Sequence, residues 1–327
     1  MKAVAYSKYG SPEVVQITEV DKPVPQDNEV LIRVHAVTIT AADSFMRKGE
    51  PFIARIGGGL SKPKGIPGAE LAGEVEAIGE AVTRFKVGDR VYAATGMDSG
   101  AHAEYKCLPE DGAMALMPAK SSYAEAAAIS EGALTALPFL RDKAKLQPGQ
   151  RVLINGASGS VGTAAVQIAK HFGAHVTGVC SGANVELVRS LGADEVIDYT
   201  QEDFTQNGQS YDVIFDAIGK NSYGRCKNSL TESGIYMTTV PSLGILLQML
   251  WTSRMSRKKA TIAFAGLRST EAKAADLRLV TEWTEAGVLV PVIDRSYSFE
   301  EIVEAHRYVD TERKRGNVVV NLVGAAA

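Results

Sequence analysis

The sequence has few cysteines and no long apolar run. Its 327 residues include three cysteines, Cys107, Cys180 and Cys226, and no two of them form a CxxC pair. Such spacing argues against a disulfide framework and against a cysteine-rich metal site, and it favours a reducing compartment. The longest apolar stretch, residues 243–251, is about half the length of a membrane-spanning helix. We therefore expect a cytoplasmic protein without a membrane span or an N-terminal signal segment.

The sequence also lacks a large charge of either sign. Lysine and arginine number 35 against 38 acids, which gives a formal net charge of -3. This balance provides no general attraction to nucleic acid or to an anionic membrane, so a small-molecule ligand is the better expectation. With 45% hydrophobic and 22% charged residues, the chain is long enough for about two domains with separate cores.

Two different patterns follow one another along the chain. Residues 1–122 contain short β segments separated by proline and glycine, which predicts an irregular β-rich module. From residue 123 to 267, apolar runs alternate with helical patterns, and this βαβ alternation predicts a doubly wound parallel sheet. Residues 268–327 hold a long helical pattern and a terminal strand, and we assign them back to the first module. The predicted fold class is α/β, with a parallel-sheet domain and a second, β-rich domain.

A glycine cluster interrupts the segment "VLINGASGSVG" between a predicted strand and a predicted helix. Gly156, Gly159 and Gly162 would let a pyrophosphate approach the backbone, while the helix N-terminus supplies N–H groups and a positive dipole. Ser158 and Ser160 add hydroxyl donors. The spacing alone also fits a simple packing turn, but the preceding strand and the βαβ rhythm favour a dinucleotide site.

The end of the next strand bears on the choice between the two nicotinamide cofactors. An NAD-selective site places an acid there to bind the ribose 2′-hydroxyl, and that charge would repel a 2′-phosphate. Here the end reads "CSGAN", without an acid, and Ser181 and Asn184 can donate to a phosphate. NADPH is therefore the predicted cofactor. Because the turn has no arginine or lysine, use of NADH stays open.

These features, together with "GIPGAELAGEVEAIGEAVTRFKVGDRVYA" (65–93), "EGALTALPFL" (131–140) and "SLGADEVIDY" after the glycine cluster, resemble a known family. The chain is similar over essentially its whole length to the zinc-free branch of the medium-chain dehydrogenase/reductase superfamily. Its closest resemblance is to quinone oxidoreductase-like members often labelled NAD(P)-dependent alcohol dehydrogenase. The resemblance implies a GroES-like substrate domain, a Rossmann domain, and a cleft where the nicotinamide meets the substrate. It also implies a homodimer paired through the Rossmann sheet edge, for which we select residues 261–267.

The zinc ligands of the superfamily's metal enzymes have no adequate counterparts here. By resemblance, their places fall near Thr40, at Ala69 and near Glu131. Threonine and alanine cannot replace a thiolate and an imidazole, and Glu131 with the nearby Glu70 offers carboxylates only. The cysteine cluster that holds the structural zinc is also missing. We expect no metal site, and without a Lewis acid the oxidation of simple alcohols is difficult.

Hydride delivery to a quinone, enal or enone needs mainly placement and a water-poor site. Thr40 is the predicted hydrogen-bond donor to the developing enolate, although it could simply cap a strand end. Asp43 could orient Thr40, bind the ribose, or cap a short helix. His102 is a candidate proton relay or a structural histidine. Phe45 stands where the family often has a tyrosine, which puts a tyrosine acid in doubt.

The resemblance also implies cofactor contacts outside the glycine cluster. Thr135 should lie near the nicotinamide carboxamide, Tyr199 near the adenine ribose phosphate, and Asn317 near the cofactor from the last strand; Lys314 and Arg315 could reach a 2′-phosphate or form a solvated loop. The full predicted cofactor-binding set is Thr135, Gly156, Ser158, Gly159, Ser160, Val161, Gly162, Ser181, Asn184, Tyr199, Ala217, Ile218, Val240 and Asn317.

The predicted function is zinc-independent, NADPH-dependent reduction of a quinone or an α,β-unsaturated carbonyl compound. Two alternatives stay open: a cofactor-binding structural or regulatory protein with negligible turnover, and an alcohol dehydrogenase of the same superfamily. The acceptor pocket is expected to form from loops at 40–60, 95–102 and 241–260. The apolar segment 243–255 is expected to line that pocket, to form an intersubunit surface, or to pack in the ordinary way.

Overall fold

The computed structural model describes residues 1–50, 55 and 59–323; part of the predicted pocket loop at 40–60 therefore lies outside the described residues. The chain divides into two compact units. The β-rich unit comprises residues Met1–Glu131 and Leu267–Ala327, and the parallel-sheet unit comprises Gly132–Gly266. The division falls inside one continuous helix, Tyr123–Leu137, whereas the sequence pattern places the boundary at the start of that helix.

The β-rich unit is built on a seven-stranded sheet and a separate two-stranded sheet. Its strands are β1 (Lys2–Tyr6), β2 (Val15–Glu19), β3 (Glu29–Ile39), β4 (Glu70–Ile78), β5 (Arg90–Ala94), β6 (Tyr105–Pro109), β7 (Met114–Leu116), β14 (Ile293–Ser298) and β15 (Asn317–Asn321). β1 pairs with β2, the large sheet has the order β14-β15-β3-β4-β5-β7, and β6 also pairs with β3. Its helices are α1 (Ala41–Lys48), most of α2 (Tyr123–Leu137), α7 (Thr270–Glu285) and α8 (Ile302–Asp310).

Strand register brings the polar ends of three strands together in this unit. β15 runs antiparallel to β3 with Val318 opposite Ile39, so that Asn317 lies beside Thr40. β3 also pairs with β4, with Val37 opposite Leu71, which places Glu70 beside Thr38. The remaining inward positions of these strands are valine, leucine and isoleucine, and they form the unit's apolar core.

The parallel-sheet unit contains a single six-stranded sheet among its described residues. Its strands are β8 (Arg151–Asn155), β9 (His175–Cys180), β10 (Glu195–Asp198), β11 (Tyr211–Asp216), β12 (Leu230–Thr238) and β13 (Lys259–Thr261), and its helices are α3 (Ser160–His171), α4 (Val185–Ser190), α5 (Tyr223–Cys226) and α6 (Leu243–Met255). The strand order is β10-β9-β8-β11-β12-β13, and every pairing is parallel. The predicted α/β fold with a parallel sheet and a β-rich second domain is confirmed.

Two elements near the end of this unit differ from the sequence expectation. The segment selected as the edge strand, 261–267, contributes only Thr261 to β13, and a 3-10 turn occupies Ala265–Leu267. The apolar segment 243–255 forms helix α6. None of the helices in the described ranges combines the length and apolarity that crossing a bilayer requires.

Candidate functional site

The carboxyl ends of the parallel strands gather most of the predicted cofactor-binding residues. β8 ends at Asn155 and leads into the glycine loop, β9 leads into Ser181, and β11 leads into Ala217 and Ile218. β8 lies between β9 and β11 in the sheet. The strands that follow β8 in sequence, β9 and β10, lie on one side of it, and the later strands, β11 to β13, lie on the other side. Such a switch point at the carboxyl edge is where parallel α/β sheets bind ligands.

The three loop glycines differ in what they do. Gly156 adopts a left-handed conformation with φ of 82°, which favours glycine. A Cβ on Gly162 would lie 2.1 Å from the Gly156 carbonyl oxygen, so only glycine lets α3 lie against the loop. At Gly159 the nearest atom to such a Cβ, chain neighbours aside, would be the Gly156 oxygen, at 3.5 Å. The loop backbone is therefore covered by neighbouring atoms at Gly162, whereas it is accessible to a ligand at Gly159.

Helix α3 begins directly behind this opening. Gly159 is its N-cap residue, no side chain of the described chain caps it, and the Thr163 N–H donates to the Gly159 carbonyl at 2.8 Å. Ser160 is buried in the first turn and Val161 is partly buried beside it. An uncapped helix N-terminus over an open glycine backbone fits a phosphate group.

Asn184 connects the glycine loop to the turn after β9. Its Nδ2 atom donates to Ser158 Oγ at 3.1 Å and to Ser181 Oγ at 3.2 Å. Neither serine hydroxyl donates to another residue within the described ranges, so each keeps its own proton for a ligand. Two aligned hydroxyl donors next to a helix N-terminus form a suitable site for an anion.

A buried carboxylate that the sequence analysis did not single out organises the same edge. Asp216, at the end of β11, has no exposed surface. It accepts hydrogen bonds from Asn155 Nδ2 at 2.8 Å, the Asn221 N–H at 2.8 Å and the Tyr236 hydroxyl at 3.1 Å. These contacts fix the ends of β8, β11 and β12 relative to one another. Polar residues at the ends of neighbouring parallel strands are the signal that could have identified this cluster.

Three more of the predicted cofactor-binding residues lie at this edge of the sheet and have exposed side chains. Tyr199 follows β10, and Ile218 and Val240 follow β11 and β12; all three side chains are exposed. A Cβ on Gly156 would contact Ile218, and one on Gly219 would contact Val240, so both apolar side chains border the loops. Thr135 is partly buried on α2 in the same unit.

Asp198, an acid on the neighbouring strand β10, lies beside the turn after β9. Asp198, at the end of β10, pairs in register with Cys180. Hydrogen bonds from Thr200 and from the Gly182 backbone hold the pKa of this carboxyl below its ordinary value. The turn itself has no acid, as the sequence shows, but a carboxylate 18 positions after Cys180 lies beside it because the strands pair.

In the β-rich unit, Thr40 and Asp43 form a capping box at the start of α1. Asp43 Oδ2 accepts from the Thr40 N–H and from Thr40 Oγ1, both at 2.8 Å, and the Asp43 N–H donates to Thr40 Oγ1 at 3.2 Å. Thr40 is therefore the helix N-cap residue and Asp43 orients its hydroxyl. Both side chains are buried, whereas Phe45, two residues later, is exposed.

Glu70 is a second buried acid near this pair. It accepts a hydrogen bond from Thr38 Oγ1 at 3.0 Å. Burial, and then the negative charges of Glu131 and Asp43, raise the pKa of its carboxyl well above the ordinary value. Burial likewise lowers the pKa of Lys314, against the attraction of Glu131 and Asp294. Sequence alone indicated Glu70 and Glu131 only as possible metal ligands. The grouping of Glu70, Asp43 and Glu131 could not be predicted because these acids come from three separate elements, β4, α1 and α2.

The remaining predicted residues of this unit have structural partners. His102 has no exposed surface, and its Nε2 atom lies 3.0 Å from the Thr38 carbonyl oxygen. Asn317 is buried and donates to the Val292 carbonyl at 3.1 Å. Lys314 Nζ donates to the Gly316 carbonyl at 2.8 Å, and Arg315 Nε lies 3.5 Å from Asp294 Oδ1.

The donor set at the superfamily's zinc position does not fit the metal. Thr40 is engaged with Asp43, Ala69 has no donor atom, and Glu131 offers oxygen alone. Over residues 1–50, 55 and 59–323, no three histidine, cysteine, aspartate or glutamate side chains are grouped so that they could share a metal ion. Zinc sites in proteins are built mainly from thiolates and imidazoles.

Comparisons with known proteins agree with this architecture. The alcohol dehydrogenase GroES-like domain model matches residues 26–139, and the zinc-binding dehydrogenase model matches residues 191–320. The quinone oxidoreductase of Sus scrofa is 32% identical, with 94% of this chain and 93% of the relative aligned. The 2-methylene-furan-3-one reductase of Solanum lycopersicum is also 32% identical, over 98% of this chain and 79% of the relative.

A solved structure extends the likeness to the whole backbone. The quinone oxidoreductase of Coxiella burnetii superimposes with a TM-score of 0.88 at 28% identity, over 99% of each chain. The chain therefore belongs to the quinone oxidoreductase-like family of the medium-chain dehydrogenase/reductase superfamily.

Proposed function

We propose that this protein is a zinc-independent, NADPH-dependent reductase of quinones or α,β-unsaturated carbonyl compounds. The observation that carries the proposal is the pair of serine hydroxyls, Ser158 and Ser181, that Asn184 holds beside the glycine loop of this oxidoreductase fold. The names of the relatives support the acceptor class, since one is a quinone oxidoreductase and another reduces an enone-type furanone.

The glycine loop is the proposed site for the cofactor diphosphate. The open backbone at Gly159 and the uncapped start of α3 would bind the phosphate oxygens, and Ser158 would donate from the side. The exposed Tyr199 would cover the adenosine end, while Ile218 and Val240 would border the ribose and nicotinamide. When bound, NADPH supplies a hydride.

The turn after β9 supports NADPH over NADH. Ser181, whose Oγ accepts a hydrogen bond from Asn184, presents a free hydroxyl proton where an NAD-selective site has a carboxylate, while both amide protons of Asn184 are used within the site. The opposing feature is Asp198, because hydrogen bonds from Thr200 and the Gly182 backbone lower the pKa of this carboxyl and keep it negatively charged beside the turn. We infer a preference for NADPH, and parallel titrations with the two cofactors measure it directly.

Thr40 and Asp43 are the proposed catalytic pair. Asp43 holds the Thr40 hydroxyl at 2.8 Å, and the hydroxyl would turn from this carboxylate to the carbonyl oxygen of the acceptor as negative charge develops there. Asp43 would act as a positioning residue. His102 would support them indirectly, because its Nε2 atom contacts the Thr38 carbonyl two residues before Thr40.

Steady-state oxidation of NADPH with 1,4-benzoquinone, naphthoquinones and small enones tests this function. We expect turnover that depends on the acceptor and is unchanged by a metal chelator. Thr40→Val should lower kcat by on the order of a hundredfold, as expected for loss of one oxyanion donor, with little change in cofactor affinity. Thr83→Val, at an exposed loop position of the same unit, is the matched control.

Binding without turnover is the second candidate function. It is favoured by the Thr40 hydroxyl, which already donates to Asp43, and by the absence of a tyrosine at Phe45. Tight cofactor binding with no acceptor-dependent oxidation across this panel would select it. Stoichiometric zinc with alcohol oxidation would instead select a metal-dependent alcohol dehydrogenase.

A further inference from the structure

The carboxylate of Asp198 fills the space that a side chain of the turn after β9 would occupy. A Cβ on Gly182 would lie 2.6 Å from Asp198 Oδ2 and 3.4 Å from Asp198 Cγ. Gly182 is the second residue after the end of β9, the second strand of the parallel-sheet unit. NAD-selective Rossmann domains carry their acid at the end of this strand. In this chain the corresponding space is taken by an acid of the neighbouring strand, β10.

Hydrogen bonds hold this carboxylate against the turn and keep it ionised. The Thr200 N–H and the Thr200 hydroxyl donate to Asp198 Oδ1 at 3.0 Å and 2.8 Å. These two bonds, and then the Gly182 backbone N–H, lower the pKa of Asp198. The side chain is partly exposed, and an ionised carboxylate has about four acceptor positions. Asp198 can therefore accept a further hydrogen bond from a ligand at the turn.

The sequence around the turn provides almost no positive charge to offset this carboxylate. Between residues 171 and 219 it contains no lysine and one arginine, Arg189. Arg189 Nη1 donates to Glu186 Oε1 at 2.8 Å on the same helix. The turn itself offers the neutral hydroxyl of Ser181. A group bound at this turn therefore meets one neutral donor and one negatively charged acceptor, and a 2′-phosphate needs donors or cations.

We propose that Asp198 is a specificity-determining residue of the cofactor site: it accepts a hydrogen bond from the ribose 2′-hydroxyl of NADH and repels the 2′-phosphate of NADPH. This inference rests on the proposed function, because it requires the cofactor diphosphate at the glycine loop. Asp198 thus limits the preference for NADPH that the Ser181 hydroxyl favours. We expect the protein to bind both cofactors, with dissociation constants within about tenfold of each other.

Parallel fluorescence titrations of the original protein and Asp198→Asn with NADPH and NADH test this role. The amide removes the negative charge, so the NADPH dissociation constant should fall by about tenfold. The NADH dissociation constant should rise by about threefold, because an amide oxygen is a weaker acceptor than a carboxylate. The opposite directions are the decisive observation. A residue that only held the turn in shape would weaken both cofactors when it is replaced.

Two nucleotide fragments locate the effect at the ribose 2′ position. Adenosine 2′,5′-bisphosphate and adenosine 5′-monophosphate differ only in the 2′-phosphate, and each is used to displace the bound cofactor. In Asp198→Asn the bisphosphate should compete about tenfold better than in the original protein. The monophosphate should compete no better than in the original. An equal gain for both fragments would place the effect away from the 2′ position and overturn the proposal.

Asp203 offers a matched control five residues later. The Thr205 N–H and hydroxyl donate to Asp203 Oδ1 at 2.9 Å and 2.8 Å, as Thr200 does to Asp198. Asp203 also pairs with Arg225 at 3.0 Å, so its charge is offset. Asp203→Asn should leave both dissociation constants within about twofold of the original. A thermal transition checks the folding of each variant, and Asp198→Ser replaces Asp198→Asn in these titrations if the asparagine variant does not fold.

The results distinguish this role from the proposed function. Binding of both cofactors with an unchanged ratio of dissociation constants in Asp198→Asn would overturn the role of Asp198 and leave the proposed function standing. Weaker binding of both cofactors in the variant would show that Asp198 only supports the turn. If the original protein binds neither NADPH nor NADH, the proposed function fails, and the role of Asp198 fails with it.

Discussion

Asn184 illustrates how a single amide can organise a candidate ligand site. By donating to Ser158 and Ser181 it leaves both hydroxyl protons free for a phosphate. We expect Asn184→Ala to raise the NADPH dissociation constant by about tenfold, since each lost hydrogen bond costs about 1 kcal/mol or less at this partly buried position. Fluorescence titration measures the affinity. Asn228→Ala, on an exposed turn of the same unit, should bind as tightly as the original, and an unchanged constant in Asn184→Ala would remove Asn184 from the site.

His306 gives a residue-scale prediction about acid stability. Burial, and then His102 and Arg47, lower the pKa of this histidine to about 3, and neither ring nitrogen has a hydrogen-bond partner among the described residues. In the unfolded chain the pKa returns to about 6.5. As pH falls from about 6.5 towards 3, only the unfolded state gains the proton, so stability is present above this window and is lost through it.

His306→Phe should remove that pH dependence. Between about pH 7 and pH 4.5, the original protein should lose about 2 kcal/mol more unfolding free energy than the variant. Urea unfolding at the two pH values measures the difference. His171→Phe, at an exposed helix end, should keep the original slope. Parallel pH slopes in the original and His306→Phe would show that His306 is not buried and neutral.

At the residue scale, the sequence indicated the candidate loop residues but not the buried side chains that hold the loop in place. Gly156, Ser158 and Ser181 stand in recognisable motifs beside a strand. Asp216 contacts Asn155, 61 positions earlier, and Tyr236, 20 positions later. Neither pairing can be inferred until the strand order is known. The roles assigned to Thr40, Asp43 and His102 stay predictions that the kinetic tests above address.

At the scale of elements, the junction of β8 and α3 separates packing from ligand binding. A Cβ on Gly162 would lie 2.1 Å from one backbone atom and 2.7 Å from another, so Gly162→Ala should cost on the order of 2 kcal/mol of stability and weaken cofactor binding. Gly159 has an ordinary negative φ of -82° and an open Cβ position. Gly159→Ala should therefore keep the thermal transition and still lower cofactor affinity.

Thermal unfolding measures the stability of Gly162→Ala and Gly159→Ala, and NADPH titration measures their cofactor affinity. Gly224→Ala, at an exposed position of α5 where a Cβ would have no atom closer than 3.9 Å, controls for the loss of a glycine outside the loop. If Gly159→Ala binds NADPH as the original does, the diphosphate does not lie against this backbone. If Gly162→Ala is as stable as the original, the close approach of α3 to the loop is wrong.

Element type was predictable where periodicity was strong, and element length was not. The alternation of apolar runs and helical patterns predicted the parallel sheet, because each buried strand needs a helix to return the chain. The edge strand is shorter than its β-branched start suggests: β13 ends at Thr261, and a 3-10 turn follows at Ala265–Leu267. Residues at a sheet edge have one neighbour only, so local sequence specifies their pairing weakly.

At the scale of the whole molecule, the fold could be predicted but the boundary between its units could not be placed. The family resemblance implied both domains, but the division between the compact units falls inside α2, between Glu131 and Gly132, whereas the sequence pattern changes where that helix begins. Fold alone does not define the acceptor, and the proposed chemistry rests on the glycine loop together with the lack of a zinc donor set among the described residues.

The most direct test of the central claim is acceptor-dependent NADPH oxidation by metal-free protein. After dialysis against a chelator, the protein is mixed with NADPH and either a naphthoquinone or a small enone, and loss of the reduced nicotinamide absorbance is followed. We predict a rate that requires the acceptor, survives the chelator, and has a raised KM for NADPH in Asn184→Ala. A protein that binds neither NADPH nor NADH, or that oxidises NADPH only after zinc is restored, would contradict the account.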